Sequence, residues 1–157
     1  MRRKDREITD TKQIEEIVKA CDVCRLAFAD EKAPYIVPMN FGYTCNNQEW
    51  TLFFHCAGTG KKLDLMKNNP YVAFEMDCNH ELLQGQRWAC QCGMAYASVM
   101  GLGTAQLILE PQKKREALGY LMAHYTTNLL PFEEDVLCAT TVFKVKVESI
   151  TAKSRKL

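Results

Sequence analysis

The stretch Trp50-Thr51-Leu52-Phe53-Phe54-His55-Cys56-Ala57-Gly58-Thr59-Gly60-Lys61-Lys62-Leu63-Asp64-Leu65-Met66 reads as a strand, a glycine turn and a short helix. Trp50, Leu52 and Phe54 alternate with Thr51, Phe53 and His55, the period-two pattern of a half-buried strand, which should end near Cys56. Small residues and two lysines then lead into Leu63 to Met66, and Asn68-Asn69-Pro70 stops the helix. A glycine turn at a helix start presents free backbone N–H groups, and the helix dipole and lysines add positive charge beside them. Those features predict a phosphate cradle. It is not a P-loop, which needs a glycine where this chain has His55 and a Ser or Thr where it has Lys62. The competing reading is an ordinary turn followed by a solvated helix start.

Working outward, Asp10 is placed to cap a helix with Gln13 at its third position, and Ile14, Ile17, Val18 and Cys21 form one apolar stripe. Val23 to Ala29 is strand-like. Pro34 to Tyr43 is extended and aromatic, but each of its two prolines removes a ladder donor, which implies an edge or a backbone facing a ligand. Thr44 to Gln48 reads as a turn, so Pro34 to Tyr43 is expected to form a hairpin with Trp50 to Cys56. Beyond the cradle, Val72, Phe74 and Met76 alternate with Tyr71, Ala73, Glu75 and Asp77, which places both carboxylates on a wet strand face in a structural role. Asn79 to Gly93 reads as a polar loop carrying Trp88. Met94 to Leu109 is a long strand that Gly101 and Gly103 allow to bend, as barrel strands do. Pro111 opens a helix with Leu118, Leu121, Met122 and Tyr125 on one face, and His124 beside it reads as a packed or surface histidine. Phe143, Val145 and Val147 mark the last strand. The expected fold is mainly β: a six-stranded antiparallel barrel with about three peripheral helices, in one domain over residues 1–157.

A chain of 157 residues with 47% hydrophobic content has enough apolar material for a single core. Its 20 basic and 19 acidic residues leave a net charge of +1, which gives no general attraction for nucleic acid or a membrane surface. The basic start Arg2-Arg3-Lys4 has no apolar run behind it, so no secretory signal is expected, and no run is long enough to span a bilayer. The expected location is cytoplasmic, with the eight cysteines mostly reduced. Cys21 and Cys24 have CxxC spacing but fall on apolar patterns and read as buried thiols. Cys78, His80, Cys90 and Cys92 are spaced more tightly than structural zinc ligands usually are, and no metal site is assigned.

The runs Cys24 to Ala27, Pro34 to Tyr43, Phe53 to Lys62, Asn69 to Glu75 and Tyr96 to Gly103 resemble the flavin-binding split-barrel proteins related to pyridoxamine 5′-phosphate oxidase. Among these the chain is most similar to the Nim-type group, named for 5-nitroimidazole resistance. The resemblance implies a homodimer with one FMN in each of two clefts between the subunits. It implies that Thr59, Gly60, Lys61 and Lys62 hold the FMN phosphate, and that the ring lies against the backbone of Val37, Pro38, Met39 and Asn40. His55 would lie near the flavin, holding it or donating a proton to a substrate, and Ser98 would add a contact from the dimer-related strand. The implied activity is an FMN-dependent reductase that takes hydride from NADH or NADPH and passes electrons to a small acceptor, nitroaromatics included. No GxGxxG fingerprint is present, so the nicotinamide would bind transiently. The oxidase branch has an Arg-Lys pair where this chain has Gly60, Lys61 and Lys62, which argues against oxidation of pyridoxamine phosphate itself. The alternatives are a flavin store or sensor without turnover, or a relative that uses haem or deazaflavin.

Overall fold

The computed structural model describes residues 3–155, so Arg2 of the basic start lies outside the described residues. Capping and apolar periodicity produce the first helix, α1 (Thr11–Ala20): the Asp10 side chain accepts from the Gln13 N–H, and Ile14, Ile17 and Val18 are buried. Eight strands are described: β1 (Glu7–Ile8), β2 (Cys24–Phe28), β3 (Tyr35–Met39), β4 (Gly42–Asn46), β5 (Glu49–Cys56), β6 (Tyr71–Leu83), β7 (Gly93–Ile108) and β8 (Thr141–Arg155). The remaining helices are α2 (Lys61–Asn68), α3 (Pro111–Tyr125) and α4 (Glu134–Ala139).

All strands pair antiparallel in one sheet of order β3-β2-β6-β7-β8-β5-β4, with β1 on β8. The two terminal strands, β3 and β4, are consecutive in sequence and joined only by Asn40 and Phe41. So short a link requires the sheet to curl until its edges face each other, leaving an open seam rather than a closed barrel. Leu26, Phe28, Trp50, Leu52, Phe54, Phe74, Val99, Phe143 and Val145 fill the inside, together with Ile17 and Val18 of α1 and Leu63 and Met66 of α2. Outside, α3 lies over β4 and β5. Its backbone at Tyr120 and Leu121 approaches Gly42 so closely that no Cβ fits there, and Tyr120 stacks on Phe53 with centroids 5.2 Å apart.

The mainly β architecture is the expected one, with differences in detail. Pro34 to Tyr43 does not pair as a unit with β5. Tyr35–Met39 pairs with β2, and only Gly42–Asn46 forms the hairpin with β5. The turn sits at Asn47 and Gln48, both at positive φ, which carries Thr44 to Asn46 into the strand. With β1, this split raises the strand count from six to eight. The expected loop from Asn79 is strand as far as Leu83, because Asn79 takes a φ of 57° and the ladder resumes at Glu81 opposite Ala95. That irregularity hides the alternation from a periodicity reading. The fourth helix, α4, has six residues and too little periodicity to announce itself.

Candidate functional site

The glycine turn after β5 starts α2 at Gly60, whose φ of 141° suits glycine alone. No side chain caps the helix, and the backbone bonds at its start run from the Leu63 and Asp64 amides to the Gly60 carbonyl. The Lys61 and Lys62 amides therefore remain free to face an anion. The turn lies where three strand ends converge: Cys56 ends β5 opposite Thr141 at the start of β8, and Lys61 reaches across to the entry of β3.

The two lysines diverge. Lys61 Nζ lies 2.6 Å from Asp30 Oδ2 and 5.1 Å from the Tyr35 ring centroid. The Asp30 partner raises the pKa of Lys61, and Lys61 together with the Glu31 amide holds Asp30 below its ordinary value. Burial raises the pKa of the Cys56 thiol at the end of β5, and the charge of Lys62 offsets part of that rise. Among the described residues Lys62 has no carboxylate within 4 Å. Lys62 is thus the cation left available at the cradle, and Lys61 is occupied. Neither Asp30 nor Tyr35 stands out in the sequence; only the curl of the sheet brings them to residue 61.

His55 is exposed at the end of β5, on the outer face opposite Val142 and one residue before the turn begins. Val37, Pro38 and Met39 lie on β3, which has a strand neighbour on one side only, so the other edge of its backbone faces the seam. Val37 and Met39 pack against the core. The Asn40 side-chain amide donates to the Asp22 carbonyl at 3.4 Å, away from the cradle.

Ser98 is not brought to this site within one chain. It pairs with Lys153, whereas His55 pairs with Val142, eleven residues earlier on β8. At roughly 3.3 Å per residue along a curved strand, the separation is on the order of 30 Å. Ser98 is 6% exposed and its hydroxyl has no hydrogen-bond partner among the described residues.

Between these two ends the outer face of β2, β3, β6, β7 and β8 forms a groove of about 630 Å³, lined by Ala27, Ile36, Ala73, Met100 and Leu102 among others. Ile36, Met100 and Leu102 are all exposed. One wall is polar: the Arg25 guanidinium donates to Glu75 at 3.0 Å and to Asp77 at 2.5 Å, and His80 Nε2 lies 2.8 Å from Asp77. Glu75 and Asp77 therefore serve as ion-pair partners on the outer face. Cys21 and Cys24 are buried, and burial pushes both thiols up, which makes them inert. Among the described residues no three His, Cys, Asp or Glu side chains group as metal ligands, and no helix is long and apolar enough to cross a membrane.

The model of the pyridoxamine 5′-phosphate oxidase family matches residues 10–154. No curated protein shows significant similarity to the sequence. Among solved structures, a candidate 5-nitroimidazole antibiotic resistance protein from Bacteroides thetaiotaomicron is 32% identical, with a TM-score of 0.81 over 94% of this chain and 86% of that one. The flavocytochrome Anf3 from Azotobacter vinelandii superposes with a TM-score of 0.82 at 19% identity, over 100% of this chain and 72% of that one. The FAD and haem binding protein from Mycobacterium smegmatis gives 0.83 at 16% identity, over 97% and 74%. The last two establish likeness of fold alone. With nearly its whole length matched by the family model, the chain belongs to the pyridoxamine 5′-phosphate oxidase family.

Proposed function

We propose that the protein is an FMN-dependent reductase of small acceptors, nitroaromatics first among them, working as a homodimer with one FMN at each of two clefts between the subunits. The observation that carries this reading is the cradle at the mouth of the seam. A glycine at φ 141° and the free amides of Lys61 and Lys62 lie there, next in the chain to a lysine, Lys62, that has no carboxylate partner among the described residues, and beside a strand whose backbone is open on one side. A phosphate monoester fits such a donor set, since it brings negative charge and several acceptor oxygens to amides, a dipole and a cation.

In this reading Thr59, Gly60, Lys61 and Lys62 hold the phosphate. The open edge of β3 from Val37 to Asn40 orients the polar rim of the ring through backbone N–H and C=O groups. Bound FMN supplies a two-electron carrier between a reduced nicotinamide and the acceptor. His55, exposed at the strand end beside the cradle, donates the proton that a reduced acceptor requires. The apolar groove on the outer face gives a second copy something to cover, and a twofold contact there places the Ser98 hydroxyl of one subunit at the cleft of the other.

Purified protein loaded with FMN and mixed anaerobically with NADH or NADPH tests this directly. Bleaching of the flavin absorption, then reoxidation by a nitroimidazole, is the expected result. A bound flavin that neither nicotinamide reduces over many minutes would reject the reductase in favour of a flavin store or sensor. A Soret band would point instead to haem, which one of the fold's neighbours carries in its name.

A further inference from the structure

The ladder between β2 and β3 ends at Cys24 opposite Met39. Two rungs further on the same register sets Asp22 opposite Phe41, where an antiparallel pair would close with the Phe41 N–H on the Asp22 carbonyl. That rung is not closed directly. The Phe41 N–H donates to the Tyr125 hydroxyl at 3.0 Å, and the hydroxyl donates to the Asp22 carbonyl at 2.8 Å. A side chain from the last turn of α3 is thus inserted into the rung, and β3 parts from β2 there to cross to β4.

The surrounding bonds hold that hydroxyl in place. The Asn40 side-chain amide donates to the same Asp22 carbonyl at 3.4 Å. His124 Nε2 lies 2.7 Å from the Cys21 carbonyl oxygen, which makes the ring nitrogen the donor, and the His124 ring packs on the buried Phe41 with centroids 4.4 Å apart. His124 and Tyr125 therefore tie the link before β2 and the link after β3 to one turn of α3. Alternation then decides which backbone groups of β3 are left over. Phe41 turns its N–H toward β2, so Met39 and Val37 do the same, and Pro38 and Asn40 face the open edge. Pro38 suits that position, because it has no N–H to leave unpaired. The seam is thus offered the Pro38 carbonyl and the N–H and carbonyl of Asn40.

We propose that Tyr125 is a positioning residue for the flavin ring: by bridging Phe41 and Asp22, its hydroxyl sets where β3 leaves β2, and with that the Pro38 and Asn40 backbone groups that meet the polar rim of the ring. The inference rests on the FMN reading above, in which the open edge of β3 orients the ring, and adds to it a side chain that bonds on the β2 side of the strand, away from the ring. A direct N–H···O=C bond spans about 2.9 Å from N to O, less than the path through the hydroxyl. Without that hydroxyl the ladder closes by one rung or the Phe41 amide loses its partner. In either case the end of β3 shifts relative to the cradle, which stands where β5 pairs with β8. A displacement on the order of 1 Å in a group that orients a reactant is enough to impair binding and rate.

Tyr125→Phe, which removes the hydroxyl and keeps the ring, tests this. FMN and riboflavin are titrated by fluorescence quenching, and the visible circular dichroism of each bound flavin is recorded. The two flavins share the ring and differ by the phosphate, so a displaced ring edge weakens both by one factor. The expected result is a loss of at least about fivefold for each, the scale of one hydrogen bond, with the ratio of FMN to riboflavin affinity kept and the dichroism of the bound ring altered. Val145→Ala, a truncation in the core of β8, is the control for stability alone: it should lower the thermal midpoint and leave both affinities and the dichroism as in wild type. Wild-type affinity and dichroism in Tyr125→Phe would overturn the proposal. So would a loss confined to FMN, which would place the effect at the phosphate, or an equal loss in Val145→Ala, which would make it a matter of stability. If Tyr125→Phe does not fold, Asn40→Ala, which removes a weaker tie to the same Asp22 carbonyl, takes its place; a smaller loss shared by both flavins supports the proposal, and unchanged binding overturns it. Wild-type protein that binds neither flavin would bring down the FMN reading itself, whereas wild-type binding that Tyr125→Phe leaves untouched would bring down this inference alone.

Discussion

The two ends of the sheet differ in what holds them and in what they leave open. At the cradle end β3, β5 and β8 converge on a helix start, the core beneath is aromatic, and the unsatisfied groups are polar: two amides and an ammonium. At the far end, among the described residues, Glu81 to Leu83 pair with Gly93 to Ala95, and the exposed surface is apolar: Leu82, Trp88 and Met94. One end is stable by itself and lacks a counter-charge; the other is ordered locally and lacks cover.

Substitution at the two ends should separate their roles. The largest effect belongs under the cradle: Phe54→Ala removes a fully buried ring stacked 5.2 Å from Phe143 and should cost about 3–5 kcal/mol of stability by denaturant unfolding. Trp88→Ala should stay within about 0.5 kcal/mol in the same measurement. Equal losses at both would show the turn carrying Trp88 to matter to the fold as much as the core does. Next comes His55→Ala, which should fold normally and lower turnover of a nitroaromatic by at least about 100-fold, the range for a lost general acid. Loss of folding would make His55 a packing residue.

The lysines sharpen the comparison within the cradle itself. Lys62→Ala should weaken FMN by about 1.5–3 kcal/mol, the range for a charge-assisted hydrogen bond. Lys61→Ala should weaken it less, because Lys61 already has a partner in Asp30. The reverse order, read by fluorescence titration, would mean that Lys61 leaves Asp30 for the phosphate. The smallest effect is on pH dependence. Asp30 binds its proton less readily in the folded chain than in the unfolded one, so its ion pair contributes fully at neutral pH. That contribution is lost as the pH falls through and below the ordinary carboxylate range. Asp30→Asn should therefore slightly lower the thermal midpoint at pH 7, and the difference should shrink as the pH falls below the ordinary carboxylate range.

The inner face of the sheet was legible because burial imposes a period of two: Trp50, Leu52 and Phe54, or Phe143 and Val145, declare their side of the strand. The glycine turn into α2 was legible for the same local reason, since φ above zero at Gly60 needs that residue. What could not be read is what depends on curl. Pro34 to Tyr43 looks like one strand, and nothing local says that Asn40 and Phe41 carry the chain from one edge of the sheet to the other. The pairing of Asp30 with Lys61 follows from that closure and has no sequence signature of its own. Asn79 at positive φ interrupts the alternation of β6, so the segment from Asn79 to Gly93 reads as a loop carrying Trp88.

FMN and riboflavin differ by the phosphate alone, so their relative affinities isolate the cradle from everything else that might hold the ring. Paired fluorescence titrations of wild-type protein and Lys62→Ala with both flavins are the most direct measurement. A phosphate held at Gly60, Lys61 and Lys62 predicts that wild-type protein prefers FMN by at least about tenfold, which is ~1.4 kcal/mol, and that Lys62→Ala loses most of the preference without changing riboflavin binding. Equal affinity for the two flavins, or a preference that survives Lys62→Ala intact, would contradict it and return the glycine-lysine turn to being a turn.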